Sequence, residues 1–557
     1  MTNPSRQIIS LKKPAVASIT SLGMTLGFLH AVSSILPADE PRPVASSPAE
    51  GSLRGWPMFG GTPARNMVNL IDKNIPTEWE TRRGEEKKNV KWVAKLGSRA
   101  YGGPTIAGGR IYVGTNNEAP RNERDTDKTR LNPATKKPTP IDKGILMCFD
   151  ESTGNFLWQH VNDKLPSGMV NDWPREGVCS TPAVEGNRLW YVTNRCTVVC
   201  LDVDGFANGN QGVQDEKYKD PTDADVIWEF DMMRELNVFP HNMAACSPVV
   251  VGDIVFIVTA NGVDEGHINI PSPAAPSFIA LDKNTGKLLW QDNSPGKDIM
   301  HGQWSNPTYA VIGGVPQVIF PGGDGWLRAF EPQTGKLIWK FDANPKKAGR
   351  YVLGGKGERN DFIATPVVYD EKVYIGVGQD PEHYEGVGHF WCIDPKGKAG
   401  DISQEIVTKE NEDPTKRETA PNPNSGVVWH YGGPTNDPDA KREYFFGRTM
   451  STCSIHDGLV YVAELAGYLH CLDARTGKVY WEHDLKSAIW GSTLWVDGKV
   501  YIGTEDGDVF IFRHGKEKEL INKIEMEEPI RSTPVVVNGV LYIMTEMHLY
   551  AIQENKD

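Results

Sequence analysis

The chain has 557 residues, 39% hydrophobic, 24% charged and 9% aromatic, with 59 Lys+Arg against 72 Asp+Glu and a formal net charge of −13. That composition excludes a disordered chain, a collagen and a coiled coil, and the lack of any basic block beyond a few residues excludes a nucleic-acid partner. Only residues 14–36 approach a membrane-spanning length, which excludes a polytopic membrane protein, and 56 Gly, 39 Pro and 16 Trp without long helical patterns read as all-β.

Arg6, Lys12 and Lys13 precede an apolar stretch, residues 15–36, that ends at Pro37-Ala38. This order reads as a secretory signal over residues 1–38; at about 22 residues the stretch also suits an uncleaved membrane anchor. Either way the bulk of the chain is expected outside the cytoplasm, periplasmic or secreted. Residues 39–53, rich in Pro, Ser and charge, read as a disordered linker. Residues 54–88 read as a lead-in arm, and residues 89–557 as one repeat domain.

Two patterns alternate through that domain. The first is a short lead, an apolar strand, a Gly-containing turn and a second apolar strand. It begins at Gly102, Cys179, Cys246, Ser305, Ala364, Ser451, Gly491 and Arg531, eight copies in all. The second reads CFDESTGNFLW from Cys148, ALDKNTGKLLW from Ala280, AFEPQTGKLIW from Ala329 and CLDARTGKVYW from Cys471. Longer versions join Cys200 to Trp228 and Cys392 to Trp429, and the copy at Ile511 has lost its Trp. Asp and Thr side chains bond turn backbone and Gly takes a left-handed conformation, so this is a hairpin device. The small residue (Ala or Cys) before it leaves room for a bulky ring to lie over that strand, which a neighbouring unit's Trp is expected to fill.

Four short strands per unit cannot bury two faces alone, so the units must stack in a ring. The eighth unit stops at Leu549-Tyr550-Ala551-Ile552 without a fourth strand, while residues 89–96, with Trp92, stand spare before the first. The expected fold is therefore all-β: an eight-bladed β-propeller of four-stranded antiparallel blades, the last closed by the N-terminal strand. The length beyond compact blades falls in insertions at 116–143, 203–225, 261–276, 342–361 and 397–426. The first is highly charged and expected to be mobile.

The D-x-x-T-G-x-x-x-W units resemble those of the PQQ-repeat propellers, which include the quinoprotein alcohol dehydrogenases and outer-membrane assembly-factor propellers. The resemblance spans residues 54–557, includes the lead-in Gly55-Trp56-Pro57-Met58-Phe59-Gly60-Gly61 with Arg65-Asn66, and is greatest to secreted bacterial members. It implies the fold more strongly than an activity.

In such a ring the residues before each innermost strand meet at a central funnel. Here they are Arg99, Tyr101, Glu176, His241, Asn242, His301, Gln303, Trp304, Asn360, Asp361, Arg448, Trp490 and Arg531. Three Arg, two His and two Trp at one mouth suit a flat anionic ligand; equally, polar residues there can solvate a channel and tie blades together. The resemblance implies PQQ and Ca²⁺ held by a Glu and an Asn, with an Asp as base. Asn261 matches the Asn. The Glu position reads Thr193-Asn194-Arg195-Cys196, without a carboxylate, and the base position reads Met300-His301-Gly302-Gln303-Trp304, without an Asp. No catalytic residue is therefore assigned. The expected function is a noncatalytic, monomeric binding or scaffold propeller for a protein, glycan or small ligand. The alternatives are a PQQ-dependent dehydrogenase with a degenerate metal site and an assembly-factor-like propeller.

No metal site is assigned either. Asp202, Asp204, Asn208 and Asn210 form an acidic, Gly-spaced loop whose spacing departs from the EF-hand, so a solvated hairpin tip is preferred to a Ca²⁺ loop. Glu382, His383, Glu385 and His389 share a loop without the helical metalloprotease spacing. Of eight cysteines, Cys148, Cys200, Cys392 and Cys471 occupy the small-residue slot as buried thiols. Cys179 and Cys196 flank one hairpin, which leaves a disulfide between them open.

Overall fold

The computed structural model describes residues 55–350, 357–379 and 385–554. The segments expected to be a signal (1–38) and a linker (39–53), with Glu382 and His383, lie outside the described residues. Eight sheets, each with four antiparallel strands, follow one another along the chain as the blades of a propeller. Blade 3 shows the plan: Val249–Val251, Ile254–Val258, Phe278–Asp282 and Leu288–Asp292, each strand paired with the next. Blade 8 takes Val535–Val537, Val540–Met544 and His548–Ile552 from the end of the chain and Val90–Lys95 from its beginning. Trp92 faces Ala551 there, as the repeat requires.

The small residue and the Trp are cross-strand partners within one blade: Cys148 faces Trp158, Ala280 faces Trp290, and Cys471 faces Trp481. The ring thus comes from the same unit rather than a neighbour, because the slot and the Trp lie opposite each other on adjacent strands. It then reaches across the seam. Trp92 Nε1 donates to Glu151 O of blade 1 at 3.2 Å, Trp228 to Lys283 O at 3.0 Å, and Trp429 to Ala474 O at 2.9 Å. A Cβ added to Gly154, Gly286 or Gly477 would lie 2.5–2.6 Å from the ring of the preceding blade's Trp. The glycine of the Thr-Gly pair therefore serves twice, as a left-handed turn residue and as a bare surface for an indole. Asp150, Asp282 and Asp473 hold the same turns by accepting from the Thr hydroxyl and backbone N–H groups. Trp339 is the exception: its Nε1 donates to Gln317 within its own blade, which also carries a fifth strand, Gly400–Asp401.

The lead-in arm closes the base of the ring. It hydrogen-bonds with the innermost strand of every blade or the residues leading into it. Trp56 pairs with Ile106, and the main-chain carbonyls of Pro57, Pro63, Ala64 and Met67 accept from Val184, Tyr309, Val368 and Trp495. Asn66 exchanges two bonds with Ile455, and Asn69 donates to Val536 O. Val68–Asn69 adds a parallel fifth strand to blade 7. At the centre Arg65, 0% exposed, donates to the carbonyls of Phe59, Ser247, Pro248 and Pro307. Burial draws its pKa down to about 10, so it stays protonated at neutral pH. Blade 7, which lost its Trp, presents Asn522 to Thr77 O of the arm, and Trp79 buries beside Met526 at that seam.

One open question closes and two expectations change. Cys179 and Cys196 do not pair, since Cys179 Sγ faces Met243 Sδ at 3.6 Å while Cys196 Sγ turns to Thr259 O at 3.2 Å; all eight cysteines are free and buried. The 116–143 insertion is a pinned hairpin, Thr126–Leu131 with Pro138–Pro140. Its buried Asp125 takes Lys143 at 2.9 Å, and Arg124 reaches Asp220 and Asp223 of the blade 2 insertion. The acidic loop, read as a solvated hairpin tip, is instead tied inward: Asp202 is buried against Arg188, Asp204 pairs with Arg110, and Asn208 donates to Asp202 and Asn210 to Val213 O.

Candidate functional site

Above the arm lies a central cavity of about 370 Å³, walled by residues of all eight blades and floored in part by Phe59. Six predicted residues line it: Tyr101, Glu176, Asn242, Trp304, Trp490 and Arg531. Trp173 joins them without having been foreseen. Asn242, at φ 59°, places it: its N–H donates to Val170 O and its carbonyl accepts from Trp173 N at 2.6 Å. Trp304 is held by its Nε1, which donates to Met243 O at 3.1 Å. Tyr101 and Trp490 lie 5.7 Å apart, and the Arg531 guanidinium sits over both rings, at 5.7 and 5.1 Å. Burial, with the Glu176 carboxylate beside it, raises the Tyr101 pKa, so the phenol stays neutral.

The cations are not free to meet an anion. Arg531 binds Glu505 at 2.6 Å and also Glu546; Arg99 binds Glu546 at 2.7 Å and lies 3.9 Å from Glu176. Trp490 Nε1 donates to Glu505 at 3.1 Å. Two guanidiniums thus face three carboxylates. Glu505 and Glu546 follow the second strands of blades 7 and 8, Lys499–Gly503 and Val540–Met544, and meet Arg531 of a strand lead.

Other predicted residues hold the scaffold. Gln303, 1% exposed, donates to Asn261 O and Ser277 Oγ and accepts from Gly323 N. Arg448 Nε donates to Asn360 Oδ1 at 2.9 Å, tying blade 6 to blade 5, and Asp361 bridges to Gly378. Asn261 is fully buried; its Oδ1 accepts from Phe239 N at 3.0 Å and its Nδ2 donates to Ser272 O at 2.9 Å. Asn194, at the family's Glu position, donates to Asp172, whose carboxylate also takes Lys164 and Leu165 N. The Asn261 oxygen is therefore spent on an internal bond, while the Asn194 Oδ1 is buried without a hydrogen-bond partner and belongs to a neutral amide where a hard cation needs a carboxylate.

His241 and His301 lie beside Trp304, with ring centroids 6.1 and 5.0 Å from it. His267 of the 261–276 insertion completes a cluster that the sequence did not suggest. Elsewhere His389 Nδ1 meets His430 Nε2 at 2.9 Å, and desolvation lowers these imidazoles to pKa values of about 3 and about 4.

The family model described as outer membrane protein assembly factor BamB matches residues 142–394 and 419–516, more than half of the chain. The chain is similar to polyvinylalcohol dehydrogenase of Sphingopyxis sp. strain 113P3, 34% identical over 113 residues, 18% of this chain and 17% of that one. It is also similar to tetrathionate hydrolase of Acidithiobacillus ferrooxidans, 22% identical over 334 residues, 55% of each. The chain thus spans no more than 55% of the length of these curated relatives. Among solved structures, a quinohemoprotein alcohol dehydrogenase from Pseudomonas putida HK5 superposes with a TM-score of 0.54 at 14% identity, covering 90% of this chain and 82% of that one. This last likeness shows the fold alone.

Proposed function

The chain belongs to the PQQ-repeat propeller family, and on that premise we propose that it is a noncatalytic binding propeller outside the cytoplasm. Its central cavity takes a neutral ligand of the sugar class, whose apolar C–H face can lie on an indole. The observation that carries this reading is the pairing of Arg531 and Arg99 with Glu505, Glu546 and Glu176 beneath an aromatic wall. Guanidiniums already bridged by carboxylates offer little to an anionic ring, whereas Trp173, Trp304 and Trp490 offer faces and Asn242 and Glu176 offer edges for hydroxyl groups. The flat anion expected from the Arg count is set aside for the same reason. PQQ with Ca²⁺ does not fit either, because the Asn261 amide is committed to internal bonds, the Glu position carries the neutral amide of Asn194, and His301 stands where an Asp base is needed. The apolar segment 15–36 supports export.

The test is a titration of the full chain with neutral mono- and oligosaccharides, followed by Trp fluorescence, beside PQQ with Ca²⁺ and a dye-reduction assay on alcohols. The expected result is saturable saccharide binding that Trp490→Ala weakens about 10-fold, or about 1.4 kcal/mol. Saturable dye reduction that requires PQQ would overturn the reading. A second reading, a scaffold for envelope proteins, is favoured by the description of the matched family; stable capture of a partner from an envelope extract would support it.

A further inference from the structure

We infer that His241, His267 and His301 form a transition-metal site behind the cavity wall. Among the described residues they are the one group of three His, Cys, Asp or Glu side chains placed to share an ion, with ligand atoms all within 4.8 Å of one another. The ring centroids lie 4.4, 4.5 and 4.8 Å apart. Side chains this close ordinarily repel when protonated, and a shared cation is the simplest arrangement that uses three imidazoles at once.

The backbone is built to bring them together. His241 Nδ1 lies 2.9 Å from Val263 O; a carbonyl only accepts, so Nδ1 carries the proton and Nε2 holds the lone pair. This backbone-oriented tautomer is the usual support of a metal-bound histidine. The same Val263 donates its N–H to His301 O at 3.1 Å, so one residue positions two ligands. A Cβ on Gly262 would lie 2.6 Å from His241 Cβ and 2.7 Å from His301 O, so only glycine lets the two segments approach. His267 stands at φ 55°, uncommon for a residue with a Cβ. Its turn is held by Asp264, which accepts from Ile268 N, Asn269 N and the Asn269 amide while its carbonyl accepts from His267 N. Strain kept in this way over a ligating side chain points to use.

Three imidazoles and no carboxylate in the group select a borderline divalent ion such as Zn²⁺, Co²⁺, Ni²⁺ or Cu²⁺ over Ca²⁺ or Mg²⁺. Three protein ligands leave a fourth position for water or another small ligand. His241 and His301 are 0% and 4% exposed, so their truncation risks the fold; His267 is half-buried in a loop, so its truncation does not.

The test uses untagged full chain stripped with a chelator and titrated with Zn²⁺ by calorimetry and with Co²⁺ by visible absorption. One equivalent of each is expected to bind, with Co²⁺ giving the intense bands of a four-coordinate nitrogen site, unaffected by excess Ca²⁺. His267→Ala should keep the thermal melt of the metal-free protein and lose at least about 10-fold in affinity. Absence of stoichiometric binding would overturn the proposal, as would a His267→Ala variant that binds as tightly as the parent. Saccharide binding is read separately, so either result leaves the reading of the cavity to its own assay.

Discussion

Arg65 is the residue on which the base of the ring depends, and its removal can be followed bond by bond. Its guanidinium donates to four main-chain carbonyls, those of Phe59, Ser247, Pro248 and Pro307, at 2.7–3.0 Å, in a site with 0% exposure. Arg65→Ala leaves those oxygens facing a hole. At about 1 kcal/mol for each unsatisfied carbonyl the loss comes to about 4 kcal/mol, with a further penalty for the cavity. Arg65→Met fills the volume and removes the cost of burying a charge, so its loss should be smaller, about 2–3 kcal/mol. Urea unfolding measures both. Hydrogen exchange supplies the local readout, because the amides of Val184, Tyr309, Val368 and Trp495 are bonded to the arm and should lose protection first. An Ala variant that loses less than about 1 kcal/mol, with those amides still protected, would refute the arm as a structural hub.

The seam makes a paired prediction. Gly477 and Gly397 both stand at left-handed φ, 70° and 68°, but a Cβ at Gly477 would lie 2.6 Å from Trp429 whereas Gly397 has no atom within 4 Å. Both Ala variants should lose about 1 kcal/mol to the backbone, and only Gly477→Ala should lose about 2 kcal/mol more to the displaced indole; equal melts would contradict the double role of that glycine. Deleting residues 55–96 removes the arm and the strand opposite Ala551, and calorimetry should find no cooperative transition; a sharp melt would dispute the closure. Acid should destabilise the protein early. His160, His389 and His430 have folded pKa values of about 4, 3 and 4, lowered by desolvation, against about 6.5 unfolded. The unfolded chain therefore binds protons first, and stability present above pH 6.5 is lost as pH falls, by about 2 kcal/mol per histidine at pH 5. A melt unchanged from pH 7 to 5 would sink this account.

The blades were legible because four copies state their own hairpin and the rest follow at the same spacing: Asp150, Thr153 and Gly154 define a turn whatever surrounds them, and Trp92 stranded before the first copy identifies the closing strand. That Trp228 reaches a neighbouring unit was legible, but its landing place was not: Gly286 is marked as a turn residue of the next copy, and nothing in the motif shows that it also bares a surface for an indole. The site was read by one rule, polar residues before each innermost strand, which found Tyr101, Glu176, Trp304, Trp490 and Arg531. The rule omitted the ends of the second strands, although the repeated Thr504-Glu505 and Thr545-Glu546 pairs were a signal that carboxylates return to the same mouth. Without them Arg531 reads as a ligand-binding cation when it is a bridged one. His267 had no signal at all, because it sits in an insertion whose path only the folded chain shows.

The pairing of Val90–Lys95 with His548–Ile552 has a consequence for biogenesis. The ribosome delivers the first of these segments almost a whole polypeptide before its mate exists, so the circle cannot be assembled progressively as translation proceeds. Every prematurely terminated product is an open arc with a naked hydrogen-bonding border, an invitation to polymerise with its siblings. Manufacture of this protein is thereby all-or-nothing, decided when the segment His548–Ile552 reaches its waiting mate.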